Sequence, residues 1–224
     1  MEHGLARLSM SAAEFLAWDA HQTVRQEYFR GHVLLAADGD ASPAKLPPLL
    51  GDDDRHATVL LNLAMALRQH LRGSPCRTFV SGVKLHIAAA DGFFYPDLMV
   101  TCSLADAADR LIKREPSLVI EVLSHSTAAY DLGDKFAAYR LVPSLAEYLL
   151  VDIDSRRCDV CRKGADGLWV LHPFEPGQTL HLASVALDIS ADELWAEVEA
   201  SGADSGSGSG AGSLAAVAGQ LGQA

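Results

Sequence analysis

The chain has 224 residues, 49% of them hydrophobic, which is enough for one domain with a sizeable core. Its formal net charge of −11 argues against a protein that coats nucleic acid through broad positive electrostatics, and no apolar run approaches the ~20 residues that a bilayer-spanning helix needs. The opening MEHGLARLSM lacks the basic-then-apolar pattern of a secretion signal, so the expectation is a soluble cytoplasmic protein without membrane contact.

SAAEFLAW, Ser11 to Trp18, opens with a capping box, Ser11 as the cap and Glu14 three residues on, and predicts a short helix. TVRQEYFRGHVLLA, Thr23 to Ala36, reads as two short strands around Gly31. Pro43, Pro47 and Pro48 make Ala41 to Leu50 a loop. Asp52 to Leu71 is the longest predicted helix: Leu60, Leu63, Ala64, Leu67 and Leu71 recur at helical spacing, Asp52, Asp53 and Asp54 suit its N-terminus, and Gly73 ends it. CRTFVSGVKLHIAA and FFYPDLMVTC alternate apolar and polar residues on either side of an Asp91-Gly92 turn and read as strands.

Leu118 to Leu123 is a strand, fully apolar apart from Glu121. Asp131 to Leu141 predicts an amphipathic helix that stops before Pro143. AEYLLVDID, RRCDVCRKG and LWVLHPF form a strand meander, and Ser190 to Glu199 a capped closing helix. From Ser201 the chain turns to SGADSGSGSGAGS, the chemistry of a flexible linker. The division is therefore one mixed α/β domain over residues 1–200, helices packed on a central sheet, and a disordered Gly/Ser-rich tail over 201–224.

Cys158 and Cys161 form a C-x-x-C pair, but on a strand residues three apart point to opposite faces, and Cys76 and Cys102 stand alone. Ordinary buried thiols are the expectation for all four. The basic clusters Arg110, Lys113, Arg114 and Arg156, Arg157, Arg162, Lys163 read as solvated faces.

Two acids fall in apolar strand sequence, Asp97 in FFYPDLMV and Glu121 in LVIEVL. Unpaired burial of either would cost several kcal/mol. Carboxylates that face one point repel unless a cation lies between them, and hard oxygen donors select Mg²⁺ or Mn²⁺. Lys135, early in the following helix, can reach back over the same strand ends. Two carboxylates and a lysine can hold a metal, orient a water and offset charge on a phosphate in transfer.

YPDLMV followed by PSLVIEVLSHSTAAYDLGDKFAAYRLVPSLAEYLLVD resembles the Uma-type putative restriction endonuclease family of the PD-(D/E)XK nuclease superfamily. The likeness covers Ser11 to Glu199 and is most specific over Pro96 to Asp152. It implies a restriction-endonuclease-like fold and a Mg²⁺- or Mn²⁺-dependent endonuclease acting on DNA. Pro96-Asp97 matches the PD of the motif, with Asp97 a metal ligand, and Glu121 matches the second acidic ligand. The motif lysine would stand at Leu123; the chain departs there, and Lys135 matches a subset in which the lysine has moved to the next helix. Glu27, four residues before Gly31, matches an outer acid, and His56 a histidine that opens the long helix and positions or contacts phosphate.

Each residue also has a bland alternative: a hairpin surface charge for Glu27, a solvated helix-start residue for His56, an exposed Lys135 paired with Asp131 four residues earlier, and core packing for Tyr139. Asp131 and Asp134 suit the helix start. A non-cleaving nuclease-fold binding module competes with the enzyme, and a hydrolase built on Ser124 and His125 is disfavoured because no G-x-S-x-G elbow exists. A homodimer is compatible with cutting both strands of a duplex.

Overall fold

A computed structural model describes residues 8–23, 25–34, 54–123 and 128–199. In chain order the strands and helices are β1 (Leu8–Ser9), α1 (Ala12–Asp19), β2 (Glu27–Phe29), β3 (His32–Leu34), α2 (Asp54–His70), β4 (Arg77–Val80), β5 (Lys84–Ile87), β6 (Gly92–Phe94), β7 (Leu98–Thr101), α3 (Leu104–Ala108), β8 (Ile112–Lys113) and β9 (Pro116–Leu123). There follow α4 (Ala128–Tyr130), a π-helical turn over Asp131–Lys135, α5 (Phe136–Tyr139), β10 (Glu147–Asp152), β11 (Arg157–Lys163), β12 (Trp169–Phe174), β13 (Leu180–Leu182), β14 (Leu187–Ile189) and α6 (Ala191–Leu194). The predicted Pro-rich loop, Ser124 to Thr127 and the tail lie outside the described residues.

The chain is mixed α/β as expected, but it builds two six-stranded sheets where one central sheet was predicted. One runs β1-β3-β2-β6-β5-β8, the other β12-β11-β10-β9-β7-β4, and β13-β14 form a separate hairpin. In the second sheet β9 lies between β7, antiparallel, and β10, parallel. A parallel neighbour requires a crossover, and that crossover is the α4–π–α5 segment.

Alternation along β9 decides what faces what. Leu118, Ile120 and Val122 join Leu98, Val100, Leu149 and Val151 in a core closed by α2 through Val59, Leu63 and Leu67. Val119 and Met99 face the other way, into a core with Phe94, Phe136, Tyr139 and Tyr148. Glu121 and Asp97, each two residues from one of these, share that second face. A smaller cluster of Phe15, Tyr28, Val33 and Phe93 holds α1 to the first sheet.

Local rules place most elements. Ser11 Oγ accepts the Glu14 N–H at 3.3 Å while Glu14 Oε2 accepts the Ser11 N–H at 2.7 Å, so the capping box forms as read. Gly73, at φ +83°, lets the chain leave α2 in the left-handed region. The meander β10-β11-β12 is antiparallel throughout. The closing helix is shorter than expected, ending at Leu194 after its Ser190 cap.

Three expectations fail. The crossover helix begins at Ala128, before Asp131, and widens into the π turn. Cys76 and Cys102 are not separate thiols: they extend the Arg77↔Thr101 ladder by one pair and form a disulfide, with Cα atoms 3.9 Å apart. The basic cluster around Lys113 is not simply solvated, since Lys113 is buried and its ammonium donates to the carbonyls of Asp106 and Asp109. In the other cluster, Arg162 Nε pairs with buried Glu147 at 2.6 Å. Cys158 and Cys161 do fall in opposite cores, as their spacing requires.

Candidate functional site

Asp97 precedes β7 by one residue, and the Leu98↔Ile120 register sets it opposite Glu121. The two acids clasp each other's backbone. The Val122 N–H donates to Asp97 Oδ2 at 2.8 Å, and the Asp97 N–H donates to Glu121 Oε2 at 3.3 Å. The crossover then supplies the counter-charge. Lys135 Nζ lies 3.1 Å from Glu121 Oε1, 3.0 Å from Asp131 Oδ1 and 3.5 Å from Glu27 Oε1. Tyr139, one turn on, donates its hydroxyl to the same Glu121 Oε1 at 2.8 Å.

The outer positions complete the group. Glu27, on β2 of the first sheet, accepts the Tyr95 N–H at 2.9 Å and so links the β6–β7 connection to Lys135. His56, in the first turn of α2, brings Nε2 to 3.4 Å from Asp97 Oδ2. All five sequence candidates, Glu27, His56, Asp97, Glu121 and Lys135, are thus linked in one network. Exposure grades through it: the Glu121 side chain is 3% exposed, Lys135 9% and Asp97 23%, so Asp97 and His56 stand at the mouth and Lys135 on the floor.

Sequence alone makes Asp131 a helix-start acid and Tyr139 a core aromatic. Both reach the site, and a signal for it exists: residues 131, 135 and 139 recur in steps of four on the segment that carries the lysine. Tyr148 supports the turn from below by donating its hydroxyl to the Asp131 carbonyl at 3.0 Å.

The electrostatics follow from four carboxylates around one ammonium. Burial pushes Glu121 well above the usual carboxylate range; Lys135 opposes this, and Asp131, Asp97 and Glu27 add to it. Glu27 is also raised by burial, against Lys135 and the Tyr95 N–H. Burial alone would lower Lys135, but Glu121, Glu27, Tyr139 and Asp131 outweigh it and hold the ammonium well above its ordinary value. Tyr139 is pushed up too, by burial and then by Glu121, so it stays a donor. A cation among these acids would relieve the repulsion by which Asp131, Asp97 and Glu27 raise Glu121.

The donor set suits a hard divalent ion. Among the described residues no three His, Cys, Asp or Glu side chains converge as a ready-made metal cage. Mg²⁺, however, is commonly held by one or two carboxylates and keeps several waters, and Asp97 with Glu121 offers such a pair. Cys158 and Cys161 are no alternative centre: burial pushes each thiol up to about 12, and they lie on opposite faces of β11.

Comparison with known proteins bears on the family and the fold. The family model described as "Uma2: Putative restriction endonuclease" matches residues 12–193. Two uncharacterized proteins of Synechocystis sp. are similar to the chain. One, slr1290, is 31% identical over 83% of this chain and 91% of its own length; the other, sll1609, is 32% identical over 72% and 85%. The crystal structure of a putative nuclease belonging to DUF820 from Anabaena variabilis superposes with a TM-score of 0.65 at 16% identity, covering 83% of this chain and 97% of that one. At that identity the likeness is one of fold.

Proposed function

The chain belongs to the Uma2 family of putative restriction endonucleases, and on that premise we propose that it is a metal-dependent endonuclease that hydrolyses phosphodiester bonds of DNA at the Asp97–Glu121–Lys135 site. The observation that carries the reading is the convergence of these three groups from β7, β9 and the crossover, with Asp97 opening outward. In this reading Asp97 and Glu121 hold Mg²⁺ or Mn²⁺. Such an ion supplies Lewis-acid polarisation of the phosphoryl oxygen and a more acidic bound water.

The chain's own residues have separable tasks. Lys135 is held protonated by its acidic neighbours, so it acts as a hydrogen-bond donor and fixed positive charge that orients the attacking water and offsets charge on the phosphate. Glu27 and Asp131 fix the ammonium in place. Tyr139 fixes the Glu121 carboxylate. His56 borders Asp97 at the mouth, where a substrate phosphate would arrive. A duplex cut in both strands calls for two such sites, which a homodimer would provide. No helix among the described residues is long and apolar enough to cross a membrane.

One observation favours a second reading, a nuclease-fold module that binds without cutting: Lys135 is already within 3.5 Å of three carboxylates, as a purely structural ion network would have it. Nicking of supercoiled plasmid with Mg²⁺ or Mn²⁺ separates the two. The wild type is expected to cut only with metal, and Asp97→Ala, Glu121→Gln and Lys135→Ala each to lose about 100-fold or more. A folded wild type that neither nicks DNA nor binds Mn²⁺ by calorimetry would rule out the enzyme.

A further inference from the structure

We propose that a cavity at the far end of α2 is a binding site for a phosphoryl oxyanion, separate from the Asp97–Glu121–Lys135 site. The cavity has a volume of about 210 Å³ and is lined by Arg68 from the last turn of α2, Arg72 from the turn that follows, Arg77 from the start of β4, and Ser74, Cys76 and Thr78. From His56 to His70, the last residue of α2, the helical rise alone is about 21 Å, so this is not the mouth described above.

Three features single it out. First, the arginines are unmatched. In a chain of net charge −11, Arg55, Arg114, Arg157 and Arg162 all pair with acids. Among the described residues Arg68, Arg72 and Arg77 have no acidic partner, although all three line one cavity. Second, Thr78 is 9% exposed, and its hydroxyl has no hydrogen-bond partner among the described residues. Its register partner Val100 belongs to the core beneath α2, so Thr78 faces the helix side of the sheet. A buried hydroxyl left unpaired is costly, and Thr78 lines this cavity. Third, the Cys76–Cys102 disulfide ties the start of β4 to the end of β7 and so fixes the strand end that carries Arg77.

The negative end of the helix dipole explains why arginines suit the last turn of α2. It does not explain Arg77, which comes from a strand, or the orphaned Thr78. Three arginines and one hydroxyl lining one cavity exceed what a planar carboxylate uses. They match the several acceptor oxygens of a tetrahedral phosphoryl group. That group could come from a small phosphorylated molecule or from the backbone of a nucleic acid.

The test is calorimetric titration of the full chain with inorganic phosphate and pyrophosphate, beside fluorescence anisotropy with a labelled DNA duplex across a salt series. The variants are Arg72→Gln/Arg77→Gln and Thr78→Val, the latter keeping shape and removing only the hydroxyl; melting curves check that each folds. Phosphate or pyrophosphate binding that weakens about tenfold or more in both variants supports the site. If duplex affinity also falls and the salt slope drops by about one unit for each phosphate no longer neutralised, the source is a nucleic-acid backbone. If duplex affinity holds while phosphate binding disappears, the source is a small phosphorylated molecule. Unchanged binding of phosphate, pyrophosphate and duplex in both variants overturns the proposal. The phosphate titration involves no cleavage, so failure of the nuclease reading leaves it intact.

Discussion

Glu121 shows how one side chain can be placed where its chemistry is expensive. It lies near the end of an apolar strand, nearly out of reach of water, and is matched by Lys135, Tyr139 and the Asp97 N–H. Removing one partner of a buried pair leaves an uncompensated charge, so Lys135→Met should destabilise the fold by about 3–5 kcal/mol. Tyr139→Phe deletes a single donor and should cost about 1–2 kcal/mol. Urea unfolding measures both; a Lys135→Met chain as stable as wild type would show that the ammonium does not hold the site together. At this scale much is legible in the sequence. Spacing and resemblance single out the PD and (D/E) acids, the displaced lysine, Glu27 and His56, and the structure brings them together. Asp131 escapes because an acid in a helix's first turn already has a sufficient local explanation, and Tyr139 because core packing, which it also performs, is sufficient too.

Elements are legible where their signals are local. The capping box, the hairpin around Gly31 and the antiparallel meander follow from neighbours within a few residues. The crossover is not, because periodicity assumes 3.6 residues per turn, and the Asp131–Lys135 stretch is a π turn, a feature frequent at functional sites. The Lys113 segment misleads for a related reason: its partners are carbonyls of α3 and of the α3–β8 loop, which composition does not reveal. That loop offers a test of its own. Arg114, then the N–H groups of Leu111 and Ile112, hold Asp109 down to about 2 from an ordinary 3.8. A lowered acid contributes stability that is present above its unfolded value and lost as pH falls through its folded value. Asp109→Asn should therefore cost about 1 kcal/mol at pH 7, with the difference shrinking as pH falls from 3.8 toward about 2. Chemical denaturation of both proteins at a series of pH values checks it; a pH-independent difference would contradict the assignment.

For the molecule as a whole, the pairing of distant segments decides what single stretches cannot. Cys76 and Cys102 have no spacing signature, and their disulfide becomes visible only once β4 lies beside β7. Closing a 26-residue separation is worth roughly 3.5 kcal/mol in the chain-entropy account, so reduction should lower the melting temperature. Thiol titration should find no reactive cysteine in the native chain, because Cys158 and Cys161 are buried and pushed up to about 12. Cys76 and Cys102 should react after mild reduction, and all four cysteines only when the reduced chain is unfolded. Early reaction of Cys158 or Cys161 would mean that β11 opens independently.

The shared ammonium of Lys135 has a consequence for descent. Because Glu121, Glu27 and Asp131 all lean on it, the lysine of the proposed enzyme would answer to two selective pressures at once, one for chemistry and one for a chain that folds. Loss of the lysine alone strands the acids, and loss of Glu121 alone leaves the lysine without its innermost partner. Lineages would then keep the pair together or exchange it together for apolar residues of similar volume. A relative that has stopped needing the reaction would inherit the same two residues for as long as it needs the fold.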